Sequence, residues 1–301
     1  MAFSIPKHIL APLTFLITLA LTACGLDLGP VPTLTSIPTS IPTLIPTPTE
    51  TPVPQAASVN GEGIPAVEFE AELARYQQDQ ASLGNTVSLE TATQAVLNDM
   101  IDGLLLEQGA AANGFIVDDT TVQSRIDALT TQVGGADALA AWESAHGYTD
   151  ADFRSALHHQ IASAWMRDQI AASVSSTAEQ VHVKQILLYN AGEAQQALGF
   201  LQAGWNFDDL AAQYDPVTKG ELGWFPRGYL PAQDIEEAAF SLQPGQYSVI
   251  IQDDTGYHIL YVVERDPARL LSPDALLTLQ ERAVQSWLTQ QRNKSSILFA
   301  P

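Results

Sequence analysis

Val181-His182-Val183-Lys184-Gln185-Ile186-Leu187-Leu188 reads as a strand, and the order of elements after it decides the fold. Gly192 to Ala203 reads as a helix with Ala197, Leu198 and Leu201 apolar. Asn206-Phe207-Asp208-Asp209-Leu210-Ala211 opens a short helix reaching Tyr214. Gly220-Glu221-Leu222-Gly223-Trp224-Phe225-Pro226-Arg227-Gly228 comes next, then a helix carrying Ile235, Ala239 and Phe240, then a Pro244-Gly245 turn. Tyr247 to Gln252 and Tyr257 to Glu264 read as two strands, joined by the hairpin signal Asp253-Asp254-Thr255-Gly256.

This order and these motifs resemble the parvulin-type peptidyl-prolyl cis/trans isomerases. The resemblance rests on Val181 to Leu188, Phe207-Asp208-Asp209-Leu210-Ala211, Gly220 to Phe225, Ala238-Ala239-Phe240-Ser241-Leu242, Pro244-Gly245 and Gly256-Tyr257-His258-Ile259-Leu260. The flanks are similar to SurA- and PrsA-like foldases, through Val59-Asn60-Gly61 with Glu68-Phe69 and the helix from Met100 to Gln108. The final helix, Ser272 to Lys294, matches the segment that returns to the helical domain in those proteins. Ser272-Pro273 is a good start for it, and Leu276, Leu279, Ala283 and Trp287 give it an apolar face. The resemblance implies an α+β chain, with a helical chaperone-like domain at 58–178 and a parvulin-like domain, a small antiparallel sheet flanked by helices, at 179–268. Residues 269–301 are expected to pack back on the helical domain.

Prolyl isomerisation breaks no bond. Amide resonance holds the peptide planar behind a barrier of roughly 18–20 kcal/mol, so a catalyst must grip the proline ring and favour the twisted imide. Neither cofactor nor metal is required. The resemblance maps the apolar pocket to Leu230, Ile235 and Phe240, and the polar floor to Gln185, Asp215, Thr255 and His258. The family usually has a histidine where this chain has Gln185. His182 does not replace it, because three residues along a strand is an odd step and points to the opposite face. The segment from Tyr214 to Gly220 is also shorter than the family's loop, and Asp215-Pro216 reads equally as a plain turn.

Working outward, the preceding region reads as all helix. Phe69, Leu73 and Tyr76 share one helical face. Val96, Met100 and Leu104, with Leu97, Ile101 and Leu105, make a wide stripe on a second helix from about Thr91 to Ala112. A third helix starts at Asp118-Asp119 and stops at Gly134-Gly135, and a fourth runs from Ala136 to His146. Thr149 with Asp152 resembles a capping box ahead of Phe153, Leu157 and Ile161. Trp142, Tyr148 and Trp165 read as core or groove residues rather than a ligand cage. No paired carboxylate or nucleophile arrangement stands out in the sequence of this half.

The first 57 residues are an address and a spacer. Ile9 to Ala23 is an apolar run after Lys7, too short to span a bilayer comfortably, and fits a signal peptide at 1–23. Leu21-Thr22-Ala23-Cys24-Gly25 resembles a bacterial lipobox, which makes Cys24 the expected lipid attachment point. Residues 24–57 hold eight prolines between Pro30 and Pro54 among Thr and Ser, an extended tether reaching roughly 100 Å. The 301 residues carry 13 basic against 34 acidic side chains, a formal charge of −21. Such a balance argues against nucleic acid, which needs clustered Lys and Arg. One cysteine rules out an internal disulfide, and the six histidines show no recognised metal-site spacing.

Two functions stay open at this point. The first is a lipid-anchored extracytoplasmic isomerase acting on unfolded or newly exported polypeptides. The second is a holdase chaperone of the same fold, favoured by Gln185 and the short loop. No basic residue lies near Tyr189 to Glu193, so no preference for phosphorylated substrates is expected.

Overall fold

The computed structural model describes residues 53–300. The signal peptide, Cys24 and the tether up to residue 52 lie outside the described residues. In chain order the described elements are β1 (Gln55–Val59), β2 (Glu62–Pro65), α1 (Ala66–Ser82), α2 (Leu89–Ala112), α3 (Asp119–Val133), α4 (Ala136–Ala145) and α5 (Asp150–Ala172). The chain continues through β3 (Thr177–Leu188), α6 (Ala191–Gln202), α7 (Phe207–Tyr214), β4 (Glu221–Pro226), α8 (Gln233–Ser241), β5 (Ile251–Asp253), β6 (Gly256–Leu270), α9 (Pro273–Lys294) and β7 (Ile297–Phe299).

Helix starts are written locally. Ser88, Asp118 and Thr149 each accept an N–H of the first turn through a side-chain oxygen, and Asp152 completes the capping box with Thr149. Gly134 ends α3 with φ 100°, a left-handed conformation that costs glycine little. The apolar faces of α2, α3, α4 and α5 meet in a core of Leu106, Val122, Ile126, Leu139, Phe153, Leu157 and Met166. Into its side packs α9, whose Trp287 ring lies so close to Gly109 that a Cβ there would sit 2.7 Å from it. Arg292 of α9 also pairs with Asp102 of α2 at 2.5 Å.

The first half is not all helix. Asn60 and Gly61, with φ of 55° and 88°, turn β1 into β2, and β1 takes β7 on its other edge in the order β2-β1-β7. Ala57, Val59 and Ile64 bury against Ile101, Leu104 and Leu105 of α2, which is why so short a sheet holds. Strand β1 begins at Gln55, inside the expected tether, because its pairing with β2 starts there.

The second sheet is antiparallel in the order β4-β3-β6-β5. One face carries Val181, Val183, Leu260 and Val262 under Ile235, Ala239 and Phe240 of α8. The other carries Ile186, Leu188 and Ile259 under α6 and α7. Strands β3 and β6 run on together as far as Thr177↔Leu270, with the Gln180 amide donating to the Arg269 and Leu270 carbonyls. The expected boundaries at 178/179 and 268/269 therefore fall inside paired strands. The expected strand from Tyr247 to Gln252 shrinks to Ile251–Asp253, with one bridge at Tyr247↔Tyr261. The reason is Ser248, whose hydroxyl accepts the Leu260 N–H at 2.9 Å where a backbone carbonyl would serve in a regular ladder.

Candidate active site

The β5–β6 hairpin builds the polar cluster. Asp253 Oδ1 accepts the Thr255 N–H at 2.7 Å, the Gly256 N–H at 3.1 Å and the Thr255 hydroxyl at 2.6 Å. Gly256 is required here: its φ is 150°, and a Cβ would lie 2.5 Å from the Leu188 carbonyl oxygen. The turn aims His258 back across the sheet. Its Nε2 lies 3.0 Å from Asp253 Oδ1 and 3.0 Å from Thr255 Oγ1. An ionised carboxylate only accepts, so Nε2 carries a proton.

Register supplies the fourth member. Leu187 pairs with His258 and Gln185 with Leu260, which puts Gln185 on the same face as His258. Gln185 Oε1 sits 3.0 Å from His258 Nδ1. An amide satisfies this contact in either orientation, accepting from an imidazolium or, turned over, donating to a neutral ring. His258 is only 5% exposed, yet both ring nitrogens are partnered. The Asp253 carboxyl is held well below the usual carboxylate range, first by the Thr255 hydroxyl, then by backbone N–H and His258. The structure thus brings Gln185, Thr255 and His258 together and adds Asp253, which the sequence alone presents only as a turn signal.

Asp215 stands apart from this cluster. Its carboxylate accepts the Val217 and Thr218 N–H groups at 3.0 Å each and the Thr218 hydroxyl, ending α7 in a tight turn. Those bonds, the Thr218 hydroxyl foremost, lower its pKa. It shares a shallow cleft with Gln185, Tyr214 and Gly220, but its own oxygens are spent on its loop. His182 points elsewhere, stacked on Trp224 and bonded to Glu221 at 2.5 Å.

On the same sheet face lies the apolar group. Ile235 and Phe240 are each 4% exposed, so they are chiefly core, with Phe225 edge-on to Phe240 and the Arg227 guanidinium 4.1 Å over its ring. Leu230 is half-buried, at the end of a loop held by two side chains. Glu236 accepts the N–H groups of Gly228, Tyr229 and Leu230 at 2.7, 3.0 and 3.1 Å. Arg282 of α9 donates to the Leu230 carbonyl at 2.9 Å. On that shared face an apolar wall can hold an apolar ring, while the part-exposed Gln185 amide, bonded to His258 through Oε1, keeps its NH2 group to offer to the imide. That is differential binding, and it needs no nucleophile.

Comparison with known proteins finds two family models along the chain. The family model of the PPIC-type PPIase domain matches residues 190–264, and that of the SurA-like N-terminal domain matches residues 44–167. A foldase protein PrsA of Halalkalibacterium halodurans is 25% identical over 195 residues, covering 57% of this chain and 58% of the relative. The periplasmic chaperone PpiD of Haemophilus influenzae is 40% identical over 89 residues, 28% of this chain and 14% of that protein. A crystal structure of the PrsA peptidylprolyl isomerase from Bacillus anthracis is 24% identical with a TM-score of 0.44, over 66% of this chain and 96% of that one. The chain spans less than two thirds of the length of such curated relatives. It carries a PPIC-type parvulin domain joined to a SurA-like N-terminal domain.

Proposed function

We propose that this protein is an extracytoplasmic peptidyl-prolyl cis/trans isomerase that assists the folding of exported polypeptides, held to a membrane by a lipid on Cys24. The observation that carries the catalytic part is the His258–Gln185–Asp253–Thr255 cluster on the sheet face that also bears Leu230, Ile235 and Phe240. The names of the relatives, foldase and periplasmic chaperone, support the setting. A second reading, a holdase with little isomerase activity, is favoured by Gln185 in place of the family's histidine and by Asp215 being spent on its own turn.

Proline-limited refolding, run beside aggregation suppression on the same preparation, separates the two. The full chain is expected to accelerate the proline phase, with little response to phosphorylation before the proline. Leu230→Ala is the sound probe of the apolar wall. Losing that contact is worth about 1–3 kcal/mol, roughly tenfold or more in rate. Phe240→Ala is a poorer probe, because deleting so buried an aromatic costs about 3–5 kcal/mol of stability and tests the fold instead. A folded chain that suppresses aggregation but leaves the proline phase at its uncatalysed rate makes the holdase reading correct. The anchor has its own test. Cys24→Ser should shift the protein from the membrane to the soluble fraction, and unchanged retention refutes the lipid.

A further inference from the structure

A second cluster lies in the helical half, far in function from prolyl isomerisation. Helices α2 and α5 are packed neighbours whose register is pinned by the Ser163 hydroxyl donating to the Gly103 carbonyl at 3.0 Å. One helical turn along each helix, that register sets Glu107 against His159. His159 Nδ1 lies 2.5 Å from Glu107 Oε2, and His158 Nδ1 lies 3.3 Å from Glu107 Oε1. One atom from each of the three side chains falls within 4.8 Å of the others.

The tautomers make this more than an ion pair. His158 Nε2 is 3.2 Å from the Val117 carbonyl oxygen and can only donate to it. In a neutral ring that leaves the Nδ1 lone pair facing a carboxylate oxygen. A ring nitrogen donating its other N–H to a backbone carbonyl is also how metal-bound histidines are commonly oriented. His159 can meet its own oxygen with a proton on Nδ1, but across the His158 gap two acceptors face one another unless a cation sits there. The two imidazole rings stand edge to face, centroids 5.7 Å apart, with both Nδ1 atoms toward Glu107. One divalent ion satisfies all three groups at once.

We propose that Glu107, His158 and His159 form a zinc site that clamps α2 to α5. Two imidazole nitrogens and one carboxylate are a common zinc donor set, with bond lengths near 2.0–2.2 Å and donor separations therefore about 3.4 Å. The present separations of 2.5 and 3.3 Å are reached from that arrangement by side-chain adjustments of about 1 Å. Glu107 is 16% exposed while His158 and His159 are 39% and 47%, so the fourth position opens to water. The sequence hides the site, because two adjacent histidines take their third ligand from another helix.

The site stands independently of the isomerase reading, and zinc alone tests it. The full chain, free of any polyhistidine tag and stripped with chelator, is titrated with zinc against a chromophoric competitor at pH 7.5. One equivalent is expected to bind and to raise the melting temperature. Glu107→Gln and His159→Gln should each weaken binding at least as much as loss of a supporting shell residue does, about 10–100-fold, and abolish the thermal shift. His146→Ala, at an exposed histidine elsewhere, should bind as the parent does. Absence of a stoichiometric site in the parent, or equal binding by the parent and both ligand variants, overturns the proposal.

Discussion

Asp253 holds the hairpin turn and His258 with the same oxygen. Four donors converge on Oδ1: two backbone N–H groups, the Thr255 hydroxyl and His258 Nε2. Asp253→Asn separates these roles, since the amide oxygen still accepts but the charge is gone. The hydrogen bond to His258 then loses its charge assistance, worth about 1 kcal/mol, so isomerisation should slow roughly fivefold while the fold survives. Unchanged rate in a chain whose parent is active would leave Asp253 with the turn alone. A pH series adds an independent reading. A carboxylate held low in the folded state stabilises it above the unfolded pKa of about 3.9, and that contribution fades as the pH falls below this value. Asparagine takes up no proton there, so the variant's melting temperature should fall less steeply below about pH 4 than the parent's.

The elements differ in how much of their structure is local, and that decides what can be read from sequence. Helices α2, α3 and α5 carry their own caps, Ser88, Asp118 and Thr149, and α3 a stop at Gly134, so periodicity and punctuation agree. Strand β1 offers five residues, two of them adjacent alanines, and is held by β7 at residues 297–299. A contact of that sequence separation has no local signature. The same holds for β5, where Ser248 satisfies Leu260 through a side chain and breaks the expected strand. At the site, the resemblance to the parvulins names Gln185, Thr255 and His258, and the pairing of β3 with β6 and the hairpin turn bring them together. Asp253 is hidden in that turn, because Asp-Asp-Thr-Gly explains itself as punctuation before it suggests a partner for histidine. Asp215 shows the reverse, an expected site position whose oxygens belong to its own loop.

At the scale of the described chain, α9 touches both halves. Its Trp287 fills the space over Gly109, Arg292 pairs with Asp102, and Gln280 donates to the Ala171 carbonyl at 3.3 Å. Its other contacts reach the parvulin side, where Leu279 lies against Gly228 and Arg282 binds the Leu230 carbonyl. The two halves depend on it unequally. The helical half loses the aromatic cover of its core and, with β7, one edge of its small sheet. The four-stranded sheet keeps both of its cores, which are built from its own strands and from α6, α7 and α8. Truncation before Pro273 should therefore open the region up to about residue 173 to protease while residues 181–265 stay resistant. Trp287→Ala is the milder form. Its effect should fall below the about 3–5 kcal/mol of a fully buried aromatic, because the ring is only half-buried, and should appear in the same half. Limited proteolysis with mass mapping reads both. Equal resistance of the two halves after truncation would show that the helical core closes without α9.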